Sequence, residues 1–405
     1  MCYVLFLTEW YPNRTDAMAG LFVQKHAQAV VRQGCKVVVL YFHPMASGKG
    51  GLQDAGLCSA KVGKSGFLQQ VISEDFSYEI HEQDGLTEII FYYPAGLWNY
   101  LRTVRFALKS LKNEYGLPSC CQVNVLSKNA WIAYFLWKKY GVPYFILEHW
   151  SGYLSQNGDF ARYSALKKGC YRFLARQAKC VATVSQSLEE AMKRQGFKAQ
   201  RWERIDNVVD DFFFAGYTPC VGEKKRILNV NCFNEKAKNI KGLLRGIKEV
   251  SEKRNDFELV IVGTGEDFAE VKRYSQQLEL SDEIAHFVGE QTPQQVCEWV
   301  QKSYFFTLFS NYETAGVVSC ECLAVGLPIL ATRVGIATEI INEENGILQE
   351  VGDEKALVQN IHYLLDHCDR YDRAKIRKFG KPFSFDSVGK RLVEVYEQIT
   401  LPSSF

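Results

Sequence analysis

Residues 310–329 read Ser-Asn-Tyr-Glu-Thr-Ala-Gly-Val-Val-Ser-Cys-Glu-Cys-Leu-Ala-Val-Gly-Leu-Pro-Ile. Two carboxylates, Glu313 and Glu321, bracket a glycine, Gly316. The apolar run Tyr304–Phe309 before them predicts a strand, and Thr314–Val325 predicts a helix with Gly316 just inside it. Gly326-Leu327-Pro328 then stops that helix, and a new strand opens at Ile329. A helix N-terminus aims free backbone N–H groups and a partial positive charge at whatever lies above it, which suits a phosphate. On one continuous helix the two carboxylates stand roughly 12 Å apart, at about 1.5 Å per residue. That separation suits gripping different parts of one long ligand and is too great for a shared-proton dyad. The plainer alternative is a strand-turn-helix unit with two solvated glutamates.

The whole chain is 405 residues, 47% hydrophobic, with a formal net charge of +2. That length predicts two to three domains of roughly 150 residues. A charge so near balance gives no global field that demands nucleic acid or a membrane. The thirteen cysteines form no Cys-x-x-Cys pair and read as free, mostly buried thiols. The seven histidines show no metal-ligand spacing, so neither a metal nor a cofactor is expected. The opening Cys2–Leu7 run is short and lacks the basic start of a signal peptide, and no apolar run approaches a membrane span of ~20 residues. A cytoplasmic protein is expected, with a peripheral position at the inner membrane face as the alternative.

Short apolar runs alternate with amphipathic helical patterns from end to end. Strands are predicted at 3–7, 36–41, 88–93, 122–126, 144–147 and 180–184, then at 226–231, 258–262, 285–288, 304–308 and 328–331. Helices such as 22–32, 129–139, 241–253 and 266–277 lie between them. The alternation implies two doubly wound domains with parallel sheets, facing across a cleft. The break falls near Ile205–Asp211, which predicts domains 1–206 and 207–384. A last helix within 385–405 carries Val388, Leu392, Val395, Tyr396 and Ile399 at helical spacing. Residues 44–86 are rich in Gly, Ser and Lys and read as an elaborated loop over the cleft.

Further candidates stand at predicted strand ends. Thr8–Asn13 leads to Gly20, whose small size lets a loop approach a ligand closely. Glu148-His149-Trp150-Ser151-Gly152 presents a histidine toward the cleft, with an unperturbed pKa near 6.5. Cys232 is followed by Lys236, Lys238 and Lys241. Gly263 and Gly265 follow one strand, and Gly289-Glu290 another. His26 and the helix-capping Ser185 or Ser187 read as structural.

The Glu313…Glu321 pattern resembles the Glu-x7-Glu signature of the retaining glycosyltransferases of family four, which have the two-domain GT-B fold. The likeness runs from the Gly20 loop to the last helix, is specific over 310–339 and is weaker over 44–118. It implies transfer of a hexose-type sugar from a UDP- or GDP-linked donor to a glycan or lipid-linked acceptor, without metal and with no nucleic-acid partner. Glu313 would orient donor-sugar hydroxyls, and His149 would face the sugar. Lys238 and the amides of Ala315, Gly316, Val317 and Val318, beside Thr314, would hold the diphosphate. Glu321 would hold the ribose, and Gly20, Gly263, Gly289 and Glu290 would border the donor. The final helix would cross back onto the first domain. The family usually has an arginine where this chain has Cys232, a loss that Lys236 or Lys241 would have to offset. A catalytically silent nucleotide-sugar scaffold, or a nucleotide-sugar epimerase or hydrolase, remains an alternative. Finally, Arg102, Arg105, Lys109 and Lys112 line one helix beside Leu101, Val104, Leu108 and Leu111, and Lys167, Lys168, Arg172 and Arg176 line another. This reads either as a solvated face or as a surface that rests on anionic lipid.

Overall fold

The computed structural model describes residues 3–45, 67–72, 76–217 and 224–401. Its first part runs β1 (Val4–Thr8), α1 (Leu21–Arg32), β2 (Val37–Met45), β3 (Phe67–Ile72), β4 (Ser77–Gln83), β5 (Leu86–Pro94), α2 (Leu97–Tyr115), β6 (Cys120–Asn124), α3 (Ala130–Tyr140), β7 (Tyr144–Glu148), α4 (Ala165–Gln177), β8 (Cys180–Thr183), α5 (Gln186–Arg194) and β9 (Trp202–Arg204). These strands form one sheet of order β3-β4-β5-β2-β1-β6-β7-β8-β9. The second part runs β10 (Lys225–Val230), α6 (Glu235–Lys238), α7 (Ile240–Ser251), β11 (Phe257–Val262), α8 (Phe268–Gln277), β12 (Ala285–Gly289), α9 (Pro293–Gln301), β13 (Phe305–Leu308), α10 (Val317–Val325), β14 (Ile329–Thr332), α11 (Ala337–Ile340), β15 (Gly346–Gln349), α12 (Glu354–His367), α13 (Arg373–Gly380) and α14 (Phe385–Thr400). Its sheet has the order β12-β11-β10-β13-β14-β15.

Two Rossmann-like α/β units therefore face each other, as the strand-helix alternation implies. The central strands are apolar on both faces because helices cover both faces. Phe6 and Leu7 of β1, and Leu259 and Ile261 of β11, are fully buried. Two features depart from the expectation. The first sheet is mixed, since β4 runs antiparallel to both β3 and β5. The region 44–86 is thus not simply a loop: β2 extends to Met45, and β3 and β4 build an edge onto the sheet. Residues 46–66 and 73–75 of that region, and 402–405 of the last segment, lie outside the described residues. The short strands β9 and β15 also escape the sequence pattern, since three or four residues are too few to show alternation.

Helix α14 leaves the second unit and packs on the first. Val388, Leu392, Val395, Tyr396 and Ile399 join Val23, Ala27 and Val30 of α1 in one core cluster. Tyr396 Oη donates to Gln122 Oε1 at 2.5 Å. The two helices approach so closely that a Cβ on Gly389 would fall 2.4 Å from the carbonyl oxygen of Ala29. A bulkier residue there must separate them. Gly389→Val is expected to lower the unfolding free energy by about 1–3 kcal/mol, the usual cost of overpacking. Urea unfolding checks it, and an unchanged midpoint refutes the close crossing.

Candidate functional site

A cavity of about 500 Å³ opens between the two units at the carboxyl ends of their strands. In the second sheet it lies where strand order reverses between β10 and β13, the place where open α/β sheets bind ligands. Trp10, Phe22 and His149 wall it from the first unit. Cys232, Lys238, Gly263, Glu290 and the run from Glu313 to Ser319 wall it from the second.

The loop after β10 is built to place Lys238. Asn231 Oδ1 accepts from the Phe233 amide at 2.7 Å, and Asn234 Oδ1 caps α6 by accepting from the Ala237 amide at 3.0 Å. The Glu235 carboxylate accepts from the first amides of α7, Ile240 at 2.8 Å and Lys241 at 3.1 Å. Lys238, the last residue of α6, then reaches Glu313 and forms an ion pair with it. Ser310 Oγ donates to the same Glu313 oxygen at 3.0 Å. Burial works against the charge of Lys238, but the adjacent Glu313 outweighs it and holds the ammonium pKa above its ordinary value.

The strand-turn-helix unit around Glu313 differs in one respect from its sequence reading. Helix α10 starts at Val317, three residues late, because Gly316 adopts left-handed backbone at φ 50° and caps it from outside. Glu313 is therefore on the turn, and only the last part of the spacing to Glu321 is helical, so the continuous-helix separation of the two carboxylates does not apply. Thr314, Ala315, Gly316, Val317 and Val318 all line the cavity. The first amides of α10 have no intrahelical acceptor and open onto it. The turn is held from below, where the Ile336 amide donates to the Thr314 carbonyl at 3.1 Å.

His149 lies at the cavity wall, buried, with both ring nitrogens unpaired within the protein. Its ring is 4.2 Å from that of Phe22, centroid to centroid. Burial, and then the neighbouring His26, hold its pKa well below the ordinary value. Relative to the unperturbed value near 6.5, the shift favours the neutral imidazole. Glu148 sets its position, a role that sequence reasoning missed. Buried at the end of β7, the Glu148 carboxylate accepts from the amides of Leu126 at 3.0 Å and of His149 and Trp150 at 2.9 Å. Tyr153 Oη adds a fourth bond at 3.1 Å. Asn207 Oδ1 and Ser319 Oγ were also missed. Both are buried, unpaired within the protein and on residues that line the cavity.

Other expected residues fall elsewhere. Gly20, Gly289 and Glu321 are not among the lining residues. Gly20 packs against the Trp10 backbone, where a Cβ would fall 2.3 Å from the carbonyl oxygen. Gly263 lines the cavity, and its lack of a Cβ also lets its loop meet the Asn231 carbonyl. Neither lysine replaces the arginine absent at Cys232. Lys236 Nζ donates to the Asn157 carbonyl across the cleft at 2.9 Å, and Lys241 pairs with Glu270. Among the described residues Lys238 is the one lysine or arginine lining the cavity. His26 is structural as expected, with Nε2 2.9 Å from the Asp206 carbonyl oxygen, and Ser185 caps α5.

Glu321 is buried within α10, and burial pushes its carboxyl up to about 7, with Lys25 opposing and Asp210 reinforcing the shift. The unfolded chain releases that proton near the ordinary value of 4.5. Between these values the native state binds more protons, so this group's contribution to stability falls as pH rises from about 4.5 to 7 and then levels. The loss is on the order of 3 kcal/mol. Unfolding free energies at pH 5 and pH 8 are expected to differ less in Glu321→Gln than in the parent by that order, and equal differences overturn the assignment.

Two family models match this chain. One described as Glycosyltransferase Family 4 matches residues 19–211, and one described as Glycosyl transferases group 1 matches 218–381. N-acetyl-alpha-D-glucosaminyl L-malate synthase of Bacillus anthracis is 28% identical over 217 residues, 50% of this chain and 56% of that protein. The chain thus spans about half the length of that relative. The alpha-D-kanosaminyltransferase of Streptomyces kanamyceticus is 22% identical over 72% of this chain and 80% of that one. Among solved structures, sucrose-phosphate synthase from Thermosynechococcus elongatus superposes with a TM-score of 0.71 at 19% identity, covering 98% of each chain. Anabaena HepE in complex with UDP and glucose superposes with a TM-score of 0.70 at 14% identity, covering 98% of this chain and 100% of that one.

Proposed function

The chain belongs to glycosyltransferase family 4, with the GT-B fold, and from that membership we propose that it moves a hexose-type sugar from a nucleotide-sugar donor to a glycan or lipid-linked acceptor with retention at the anomeric carbon. The observation that carries the reading is one cavity shared by a half-buried Lys238–Glu313 pair, the N-terminus of α10 and an unpaired His149. The leaving group of such a reaction is a nucleoside diphosphate, which gains charge as the glycosidic bond breaks. Fixed donors stabilise that charge without reorganising. Lys238 and the amides of Gly316, Val317 and Val318 fill this role, and the reading needs no metal ion.

Glu313 then has two duties. It neutralises Lys238 before the donor arrives, and it accepts hydrogen bonds from sugar hydroxyls once the diphosphate shares the ammonium. The neutral imidazole of His149 offers one donor and one acceptor to the same sugar from the opposite wall. Glu321, further along α10 and not on the cavity wall, is assigned the ribose hydroxyls on the family resemblance alone, and Glu290 borders the base. UDP and GDP are both carried as donor nucleotides. No helix among the described residues is long and apolar enough to cross a membrane. The domain limits 1–206 and 207–384, with 385–405 returning to the first domain, are part of the same proposal.

Cys232 favours one second reading. It is the exposed thiol among the described cysteines, and it stands beside Lys238 where an arginine would add a second fixed charge. A weakened diphosphate site would bind a nucleotide sugar without turning it over, as a scaffold does.

A thermal-shift panel of UDP-, GDP- and dTDP-sugars and their nucleotides, with and without chelator, tests these readings. A nucleotide at about 100 times its Kd adds roughly 2.7 kcal/mol of stability. The expected result is a shift with one nucleotide family, unchanged by chelator. No shift with any overturns the donor site. Lys238→Ala and Glu313→Gln are each expected to slow transfer by on the order of 10²-fold. Parent rates in both variants overturn their roles, and binding without transfer in the parent turns the assignment to the scaffold.

A further inference from the structure

A second cavity, of about 730 Å³, lies between α2 and α3 on the outside of the first unit. Its floor is apolar, with Leu101, Val104 and Leu108 from α2 facing Trp131, Ile132 and Phe135 from α3. The expected apolar stripe of α2 is therefore only partly a core stripe. Leu111 is buried, but Leu101 is 46% exposed, and Trp131 and Phe135 across the groove are 42% and 45% exposed. At the start of α2, Leu97 and Trp98 are 71% and 79% exposed. An open apolar surface of this extent on a water-soluble face marks a binding site.

The rim has one sign. Arg105, Lys109, Lys112, Lys128 and Lys139 line the groove, and no acidic residue does. Among the described residues none of these five forms a salt bridge with a carboxylate. Aromatic faces hold several of them instead: Lys128 Nζ is 4.5 Å from the Tyr100 ring centre, Lys112 Nζ 4.7 Å from Tyr140 and Lys139 Nζ 5.3 Å from Phe135. Apolar floor and cationic rim together describe an amphiphile with a hydrocarbon chain and an anionic head.

The groove also has a direction. Both α2 and α3 begin at the carboxyl ends of their strands, so Tyr100 and Lys128 are at the cleft end. Tyr100 Oη donates to Asn129 Oδ1 at 2.7 Å, and Asn129 Nδ2 donates to the Thr8 carbonyl at 2.8 Å. Two residues on, Trp10 of that loop lines the donor cavity. The head of a molecule lying in the groove is thus delivered toward the cleft.

We propose that the α2–α3 groove binds the hydrocarbon chain of a lipid phosphate and holds the phosphate on its basic rim, so that the acceptor is an anionic lipid-linked molecule. The acceptor half rests on the transferase reading; the lipid site stands on the groove itself. A bare membrane surface would need a flat patch, whereas a concave floor leading to the cleft fits a single chain.

The test uses the full chain and dioctanoyl phosphatidic acid below its micellar concentration, followed by tryptophan fluorescence, with inorganic phosphate and dioctanoylglycerol as controls. Saturable binding of the phosphatidic acid, at least tenfold tighter than either control, is expected. Phe135→Asp and Leu101→Asp, both at exposed positions, and separately the pair Arg105→Glu and Lys109→Glu, should each weaken it at least tenfold while thermal midpoint and nucleotide shift persist. Binding equal to inorganic phosphate or to the neutral lipid overturns the proposal. So does binding that ignores both sets of variants, or that occurs on anionic vesicles alone. Nucleotide binding without lipid binding sinks the groove alone, and lipid binding without nucleotide binding sinks the transferase reading alone.

Discussion

An ammonium removed from bulk water must be neutralised where it is buried, and Lys238 meets that constraint with Glu313. Much of the second unit's cleft face serves the pairing. Asn231, Asn234 and Glu235 spend their side chains on backbone amides so that a one-turn helix can end at Lys238. On the other side Ser310 and the Gly316 cap fix the turn that carries Glu313. The backbone joins the halves, since the Asn311 amide donates to the Ala237 carbonyl at 2.7 Å. Breaking such a pair by removing one partner leaves an uncompensated charge, whereas an anionic ligand would offer the lysine a second partner. The site is thus stable when empty and still attractive to its ligand.

The first unit solves the opposite problem, that of keeping a polar group buried and uncommitted. His149 has no partner inside the protein for either nitrogen. An unsatisfied buried group costs stability, and the ring would turn away unless its backbone were fixed. Glu148 fixes it by drawing two loop segments, one at Leu126 and one at His149 and Trp150, onto one carboxylate. Burial raises the Glu148 pKa, and the amide bonds with the Tyr153 hydroxyl oppose that rise. Charge is concentrated on Lys238 and Glu313, while burial favours the neutral form of His149 on the opposite wall.

What was legible in the sequence follows from this division. Glu313, His149 and the α10 start follow apolar runs, and a strand end is visible from periodicity, whereas Lys238 is singled out only by the family resemblance. The two-unit architecture and the return of α14 were legible for the same reason, because Val388, Leu392 and Ile399 repeat at helical spacing. Contacts between distant segments were not. Nothing in the local pattern separates Lys236, which crosses to Asn157, or Lys241, which turns to Glu270, from Lys238. Gly20 looked like a ligand contact because a close approach to Trp10 and one to a phosphate make the same demand on a glycine. Glu148 was passed over because a buried acid at a strand end looks in sequence like a solvated one. The β3–β4 edge was hidden by a polar composition that resembles a loop. Its β5 partner registers as a strand because Ile89, Ile90 and Phe91 are buried, whereas Glu82 and Gln83 at the end of β4 are exposed.

The contacts between the units are of two unequal kinds. Helix α14 is fastened to α1 through a buried apolar face. Across the cleft itself polar contacts recur: Lys236 to the Asn157 carbonyl, and Glu339 receiving the Gln186 amide at 2.8 Å and Arg204 beside it. Of these, Arg204–Glu339 is an ion pair, worth about 0–1 kcal/mol where solvent reaches it. Apolar contact crosses the cleft too, since Tyr312 and Ala315 of the second unit join the first unit's core cluster, with Ala237 and Val317 packed against it. Lys238, Glu313 and His149 already line one cavity in this arrangement. The turn that carries Glu313 is thus held by both units, an arrangement suited to a site whose opposing walls must stay in register.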